Sequence, residues 1–175
     1  GISRWKETCG CAPHGEWKAP LRHAMDEMAK AIDEEFLAVV GPLMPDPWEL
    51  RHQYIRVVHK RITLEEFIYE LLEEDPGEKM IQKLGLLLRA QYERQRMFTS
   101  CGWFFDDFDR IEPRNNLAYA AQAVRLTRKA TGKDLEPVAM ELLREVQSWR
   151  SGVWGSTVFR HHIELMEQYA LNNSL

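Results

Sequence analysis

Long apolar runs are missing from this sequence. No stretch approaches the ~20 consecutive apolar residues of a membrane-spanning helix, so no bilayer span is expected. Cysteine is scarce: three thiols in 175 residues cannot all pair, which excludes a disulfide framework of the small-secreted kind. An excess of basic charge is absent too. The formal charge is −4, whereas a general nucleic-acid binder would carry a basic face. The opening Gly1-Ile2-Ser3-Arg4-Trp5 has no basic region leading into an apolar one, so no export signal is read and the cytoplasm is the expected compartment. No segment alternates apolar and polar residues as a strand would, and there is no internal repeat or low-complexity tract.

Core-forming residues, by contrast, are plentiful. Apolar residues make up 45% of the chain and aromatics 10%. A chain of this length buries about 70% of its unfolded surface in one domain of ordinary size, so disorder is not expected. Residues 1–17 hold three glycines, two tryptophans and two cysteines without a steady period, and read as an irregular lead-in. From residue 18 onward the chain reads as helical. Leu21, Met25, Met28, Ile32, Phe36 and Val39 recur at spacings of three and four, with Pro20 in the first turn and Gly41-Pro42 as the stop. Asp46 caps a second helix from Pro47 to about Val58. Thr63-Leu64-Glu65-Glu66 has the capping-box form and opens a third, to about Glu73. A long helix is expected from Glu78 to about Phe98, and another from about Arg114 to Thr131 before Gly132. Asp134 caps a helix to about Trp149, and the last runs from about Thr157 to Ala170. The fold class is therefore all-α, an irregular bundle of about seven helices. One feature of the long helix stands apart: its buried stripe turns polar at Gln91, Arg94 and Gln95, and buried polar groups need partners.

Most catalytic patterns are absent. His161 and His162 are adjacent and point to different sides of a helix, so they form no i, i+4 metal pair. There is no Gly-x-Ser-x-Gly elbow and no phosphate loop with its lysine. Cys9, Cys11, His14 and Cys101 make a possible set of four zinc ligands, but Cys9-x-Cys11 is tighter than the usual spacing, and buried free thiols are the competing expectation. Carboxylates beside aromatic rings remain. Asp106, Asp107 and Asp109 follow Trp103, Phe104 and Phe105, and a pyranose offers an apolar face to a ring and hydroxyls to acids. Taken singly, such acids are more often loop and capping residues. Yet Trp5, Trp17 and Trp103 all lie in irregular segments, as binding aromatics do.

The block Thr99-Ser100-Cys101-Gly102-Trp103-Phe104-Phe105-Asp106-Asp107, preceded by Met97-Phe98, resembles a signature in the C-terminal region of one group of family-57 glycoside hydrolases. Arg4-Trp5, Cys9-Gly10-Cys11 and Trp17-Lys18-Ala19-Pro20-Leu21-Arg22 resemble the junction that leads from the catalytic barrel of that group into its helical region. Weaker matches follow at Asp46-Pro47-Trp48 and at Tyr119 to Ala123, whereas Arg89 and Tyr92 depart from the pattern. The resemblance spans most of residues 1–150. It implies an α-glucan-active hydrolase or transferase whose reactive glutamate and aspartate, about 5–5.5 Å apart, lie on a barrel absent here. No catalytic residue is therefore assigned to this chain, which alone should be inactive, and no cofactor is expected. The resemblance implies that the helical region packs on that barrel and lines the sugar cleft, with Trp103 in the aromatic role. Trp5 and Trp17 extend it by position, and Phe104, Asp106 and Asp107 complete the set of expected substrate contacts. The implied partners are the barrel of the same polypeptide and an α-glucan, with no nucleic acid and no membrane. Cys9, Cys11 and Cys101 recur together in that group, and the alternative expectation is a zinc-binding module or a purely structural, oligomerising helical module.

Overall fold

The computed structural model describes residues 14–172. After a turn at residues 14–17 the chain enters helix α1, Lys18–Val40. There follow α2 (Pro47–Gln53), α3 (Ile55–Val58), α4 (Leu64–Leu71), α5 (Glu78–Arg96), α6 (Cys101–Phe104), α7 (Ile111–Thr131), α8 (Glu136–Leu142) and α9 (Gly155–Asn172). A 3₁₀ turn at Leu143–Glu145 extends α8. Seven of the described helices have seven residues or more, and no strand is formed among the described residues. The protein is an all-α bundle.

Local chemistry sets most boundaries. Asp46 accepts from the Trp48 backbone N–H at 3.0 Å, with Pro47 as the first residue of α2. Thr63 Oγ1 accepts from Glu66 N at 3.2 Å, and the Glu66 carboxylate accepts from Thr63 N at 2.9 Å, closing the expected box. Gly132, with φ of 81°, ends α7 in the left-handed region and donates to Arg128 O at 2.8 Å. Two expected helices differ. The segment from Pro47 to Val58 breaks at Tyr54 into α2 and α3, because Tyr54 N bonds back to Arg51 O in a tighter turn. The helix expected to reach Trp149 stops at Leu142. Val146 is extended instead, its carbonyl accepts from Gly155 N at 2.7 Å, and Gln147 pairs with Trp154 in an isolated antiparallel bridge.

The helices enclose two apolar clusters. One gathers Leu21, Met25 and Ile32 of α1 with Trp17, Trp103, Phe108, Val124 and Phe159. The other gathers Phe36 and Val40 with Leu50, Phe67, Ile68, Leu84 and Leu88. Each fully buried Leu, Ile, Met or Phe contributes about 1.5–3 kcal/mol relative to an exposed one. Helix α1 runs through both clusters; α5 lines the second and reaches the first only at its C-cap residue Met97, and it packs along α7 in the most extensive helix contact of the bundle. Between the clusters lies the polar stripe of α5. Gln91 Nε2 donates to Asp33 Oδ1 at 2.9 Å and Arg94 Nη2 to Asp33 Oδ2 at 2.6 Å. The polar residues are thus a seam tying α5 to α1, in which Gln91 Nε2 and Arg94 Nη2 have their partner in Asp33 while Gln91 Oε1 and Arg94 Nε have none among the described residues.

Candidate functional site

The signature block folds at one pole of the bundle, where three segments meet. Asp107 is fully buried. Its Oδ2 accepts from Ser148 Oγ at 2.7 Å and from Arg150 N at 3.1 Å, and its Oδ1 from Asp109 N at 3.2 Å. Ser148 Oγ in turn accepts from Ser151 N at 2.9 Å. One carboxylate therefore closes its own turn and fixes the loop at 146–155, the segment that replaces the expected end of a helix. A buried carboxylate is tolerated there because three donors are shared between its two oxygens.

The neighbouring Asp106 works through its backbone. Its carbonyl accepts from Trp17 Nε1 at 3.0 Å and from Trp149 Nε1 at 3.3 Å, so two tryptophans far apart in sequence share one acceptor. The Trp17 ring stacks on Trp103 with centroids 6.3 Å apart and tilts against Phe108 at 6.4 Å. Lys18 is buried beside it, with its ammonium 5.6 Å from the Trp17 centroid. Burial pushes the Lys18 pKa below its ordinary value, and the charge of Asp106 opposes that shift.

These placements divide the expected contacts. Trp103 and Trp17 are only 4% and 3% exposed and face each other and the core, and Trp17 also borders a surface pocket, the one at Trp149. The Trp103 indole N–H is buried without an acceptor among the described residues. Gly102 in α6 lets this segment close onto α7, because a Cβ there would lie 2.2 Å from Nδ2 of Asn116, whose amide is held by Thr99. Asp107 holds the loop and offers no free oxygen. Phe104 is 76% exposed, in T-shaped contact with Phe105, and the Asp106 side chain is exposed. Trp5, Cys9 and Cys11 lie outside the described residues. Cys101 is an exposed free thiol, His14 stacks on Trp149 at 4.1 Å, and no group of three or more His, Cys, Asp or Glu is arranged for a metal among the described residues.

The structure adds residues that the sequence did not single out, beside His14 and Asp109, which it did. Trp149 is 49% exposed, and with His14, Glu16, Glu145 and Gln147 it lines a shallow pocket of about 260 Å³. On the other side of Asp107, Asp109, Arg110, Arg150 and Ser151 line an open pocket of about 320 Å³. Ser151-Gly152 marked this segment as a turn, but nothing in the linear pattern showed that Asp107 would anchor it 41 residues away. Aromatic rings, carboxylates, an amide and guanidinium groups thus surround the signature loop, an inventory that can stack on a ring and hydrogen-bond hydroxyls.

Residues 14–170 match the domain of unknown function DUF3536. The chain belongs to the DUF3536 family. No curated protein and no solved structure matches it. The DUF3536 match takes in the whole helical body from the His14 turn to α9, including Trp103, Phe104, Asp106 and Asp107, and leaves Trp5, Cys9 and Cys11 outside. No described helix of this DUF3536 domain is long and apolar enough to cross a membrane.

Proposed function

We propose that this chain is the helical part of a family-57-type enzyme acting on α-glucans, where it walls one side of the substrate groove. In this reading the reactive carboxylates belong to a barrel elsewhere in the same polypeptide, and this chain supplies surface rather than chemistry. The supporting observation is the convergence at Asp106: the block that resembles the family-57 signature binds Trp17 of the junction segment and Trp149 through one carbonyl. Around that point stand Phe104, the half-exposed Trp149, and the carboxylates Glu16 and Glu145.

The roles shift from those implied by the resemblance alone. Trp17 and Trp103 form the rigid base, Asp107 clamps the loop, and Trp149 and Phe104 present the ring surface to sugar or barrel. A stacking surface needs its rings held by packing and hydrogen bonds. Trp149 meets that need through its indole N–H.

The isolated chain should show no turnover of α-glucans, measured as release of reducing ends. In the parent enzyme, Trp149→Ala should raise KM for an α-glucan several-fold while the fold, followed by circular dichroism, persists. Turnover by the chain alone, or unchanged kinetics in both the Trp149→Ala and Phe104→Ala enzymes, would overturn the proposal. One zinc per purified chain would instead favour a metal module built on Cys9, Cys11, His14 and Cys101.

A further inference from the structure

Away from the aromatic pole, helices α5, α7 and α9 enclose an open groove of about 590 Å³. Its apolar walls include Leu86, Leu126, Leu165 and Met166, and its polar groups are Arg89, Gln122, Arg125, Lys129, His162 and the Tyr169 hydroxyl. Among the described residues no carboxylate lines it. The volume lies in the range of sites for small metabolites, about 300–1,000 Å³.

Arg125 is the unusual member. It is only 7% exposed, yet its one hydrogen bond among the described residues is a long one from Nη1 to Gln122 Oε1, at 3.5 Å. Its Nε is buried with no partner among the described residues, and the same is true of His162 Nε2. The nearest acid, Glu167, is engaged by Arg128, which also reaches Glu136 at 3.5 Å. Neither Arg89 nor Lys129 forms an ion pair with the described residues. A guanidinium does not escape burial by losing its proton, and a buried charge without a counter-charge is costly. Burial pushes the Arg125 pKa below its ordinary value, with Arg128 and Arg89 acting in the same direction and Glu167 opposing. The groove is thus a positive, partly dry recess with unused donors.

We propose that this groove is an oxyanion site for a phosphate-bearing small molecule. Arg125 provides the fixed fork that matches two phosphate oxygens, and Arg89 and Lys129 supply charge at the rim. The leucine and methionine walls accept the apolar body of the ligand. Three permanent cations with no lining acid suit a dianion better than a carboxylate. The site shares no residue with the aromatic pole and does not depend on the glucan reading.

The test is calorimetric titration of the full chain with inorganic phosphate at an ionic strength held constant with chloride, with acetate as the comparison anion. The expected result is saturable binding of phosphate in preference to acetate, weakened by about tenfold or more in Arg125→Met. Arg125→Met should unfold no earlier than wild type without phosphate, because it removes an unpaired buried charge at similar volume. Lys129→Ala, a change at an exposed rim position, should weaken phosphate binding and leave the fold intact, so it decides the matter if Arg125→Met fails to fold. Absence of saturable phosphate binding, equal binding of acetate, or wild-type phosphate affinity in the variants that fold would overturn the proposal.

Discussion

Removing the Trp103 indole would open a cavity against Trp17, whose other neighbour in the same cluster is Phe108. Truncating a core tryptophan costs about 3–5 kcal/mol, so Trp103→Ala should lower Tm sharply and should not behave as a surface-binding variant. A loss of less than about 1 kcal/mol in urea unfolding would show that the ring is not a core element. Trp149, which shares the Asp106 carbonyl with Trp17, is half-exposed and should tolerate truncation far better. His162 gives the residue scale a pH signature. Burial, then the charges of His161 and Arg114, hold its pKa below the ordinary 6.5. The unfolded chain therefore binds the proton more readily than the folded one, and stability falls as pH drops through 6.5, levelling off below the depressed folded value. Urea midpoints measured above and below that pH should show a smaller difference in His162→Gln than in wild type. An identical difference in the two proteins would remove His162 as the cause.

At the scale of elements, the capping box of α4 is a self-contained device. Thr63→Ala removes the acceptor of Glu66 N and leaves Thr63's own N–H bond to the carboxylate intact. A cost of about 1 kcal/mol is expected, read as a shift in denaturation midpoint without a change in slope. Elements of this kind were legible because their signals are local. The apolar stripe of α1, Asp46 before Pro47, the Thr63 box and Gly132 each report on residues within one or two turns. What the sequence hid was set by distant partners. The residues from Arg144 to Trp149 have helical periodicity, yet Val146 O is claimed by Gly155 N and Ser148 Oγ by Asp107, so the helix yields to the loop. The same distance effect governs the candidate site. Trp103 looked free because its segment is irregular in sequence, but Trp17 and α1 arrive from eighty residues away to cover it. Trp149 looked like a helix end and became the exposed ring.

For the whole molecule, the decisive feature is that two apolar clusters share the continuous helix α1 across a polar seam that ties it to α5. Gln91 and Arg94 interrupt the buried stripe of α5 where Asp33 interrupts that of α1. The Arg94 and Asp33 side chains retain only 23% and 21% of their exposure, and Gln91 Oε1 is already buried without a partner among the described residues. Asp33→Ala would strip Arg94 of its counter-charge and Gln91 of its acceptor. Leaving such groups unpaired costs about 1–3 kcal/mol, less than for a fully buried pair because water still reaches the guanidinium. That loss should appear in both clusters at once, since α1 runs unbroken through both and α5, bonded to it at the seam, packs the second cluster and places Met97 in the first. Wild type and Asp33→Ala should therefore each unfold in a single transition, with helix content by far-ultraviolet circular dichroism and tryptophan environment by fluorescence giving the same midpoint. Separate midpoints in the variant would mean that Asp33 is what couples the two clusters. Separate midpoints already in wild type would mean that the bundle is two folding units rather than one.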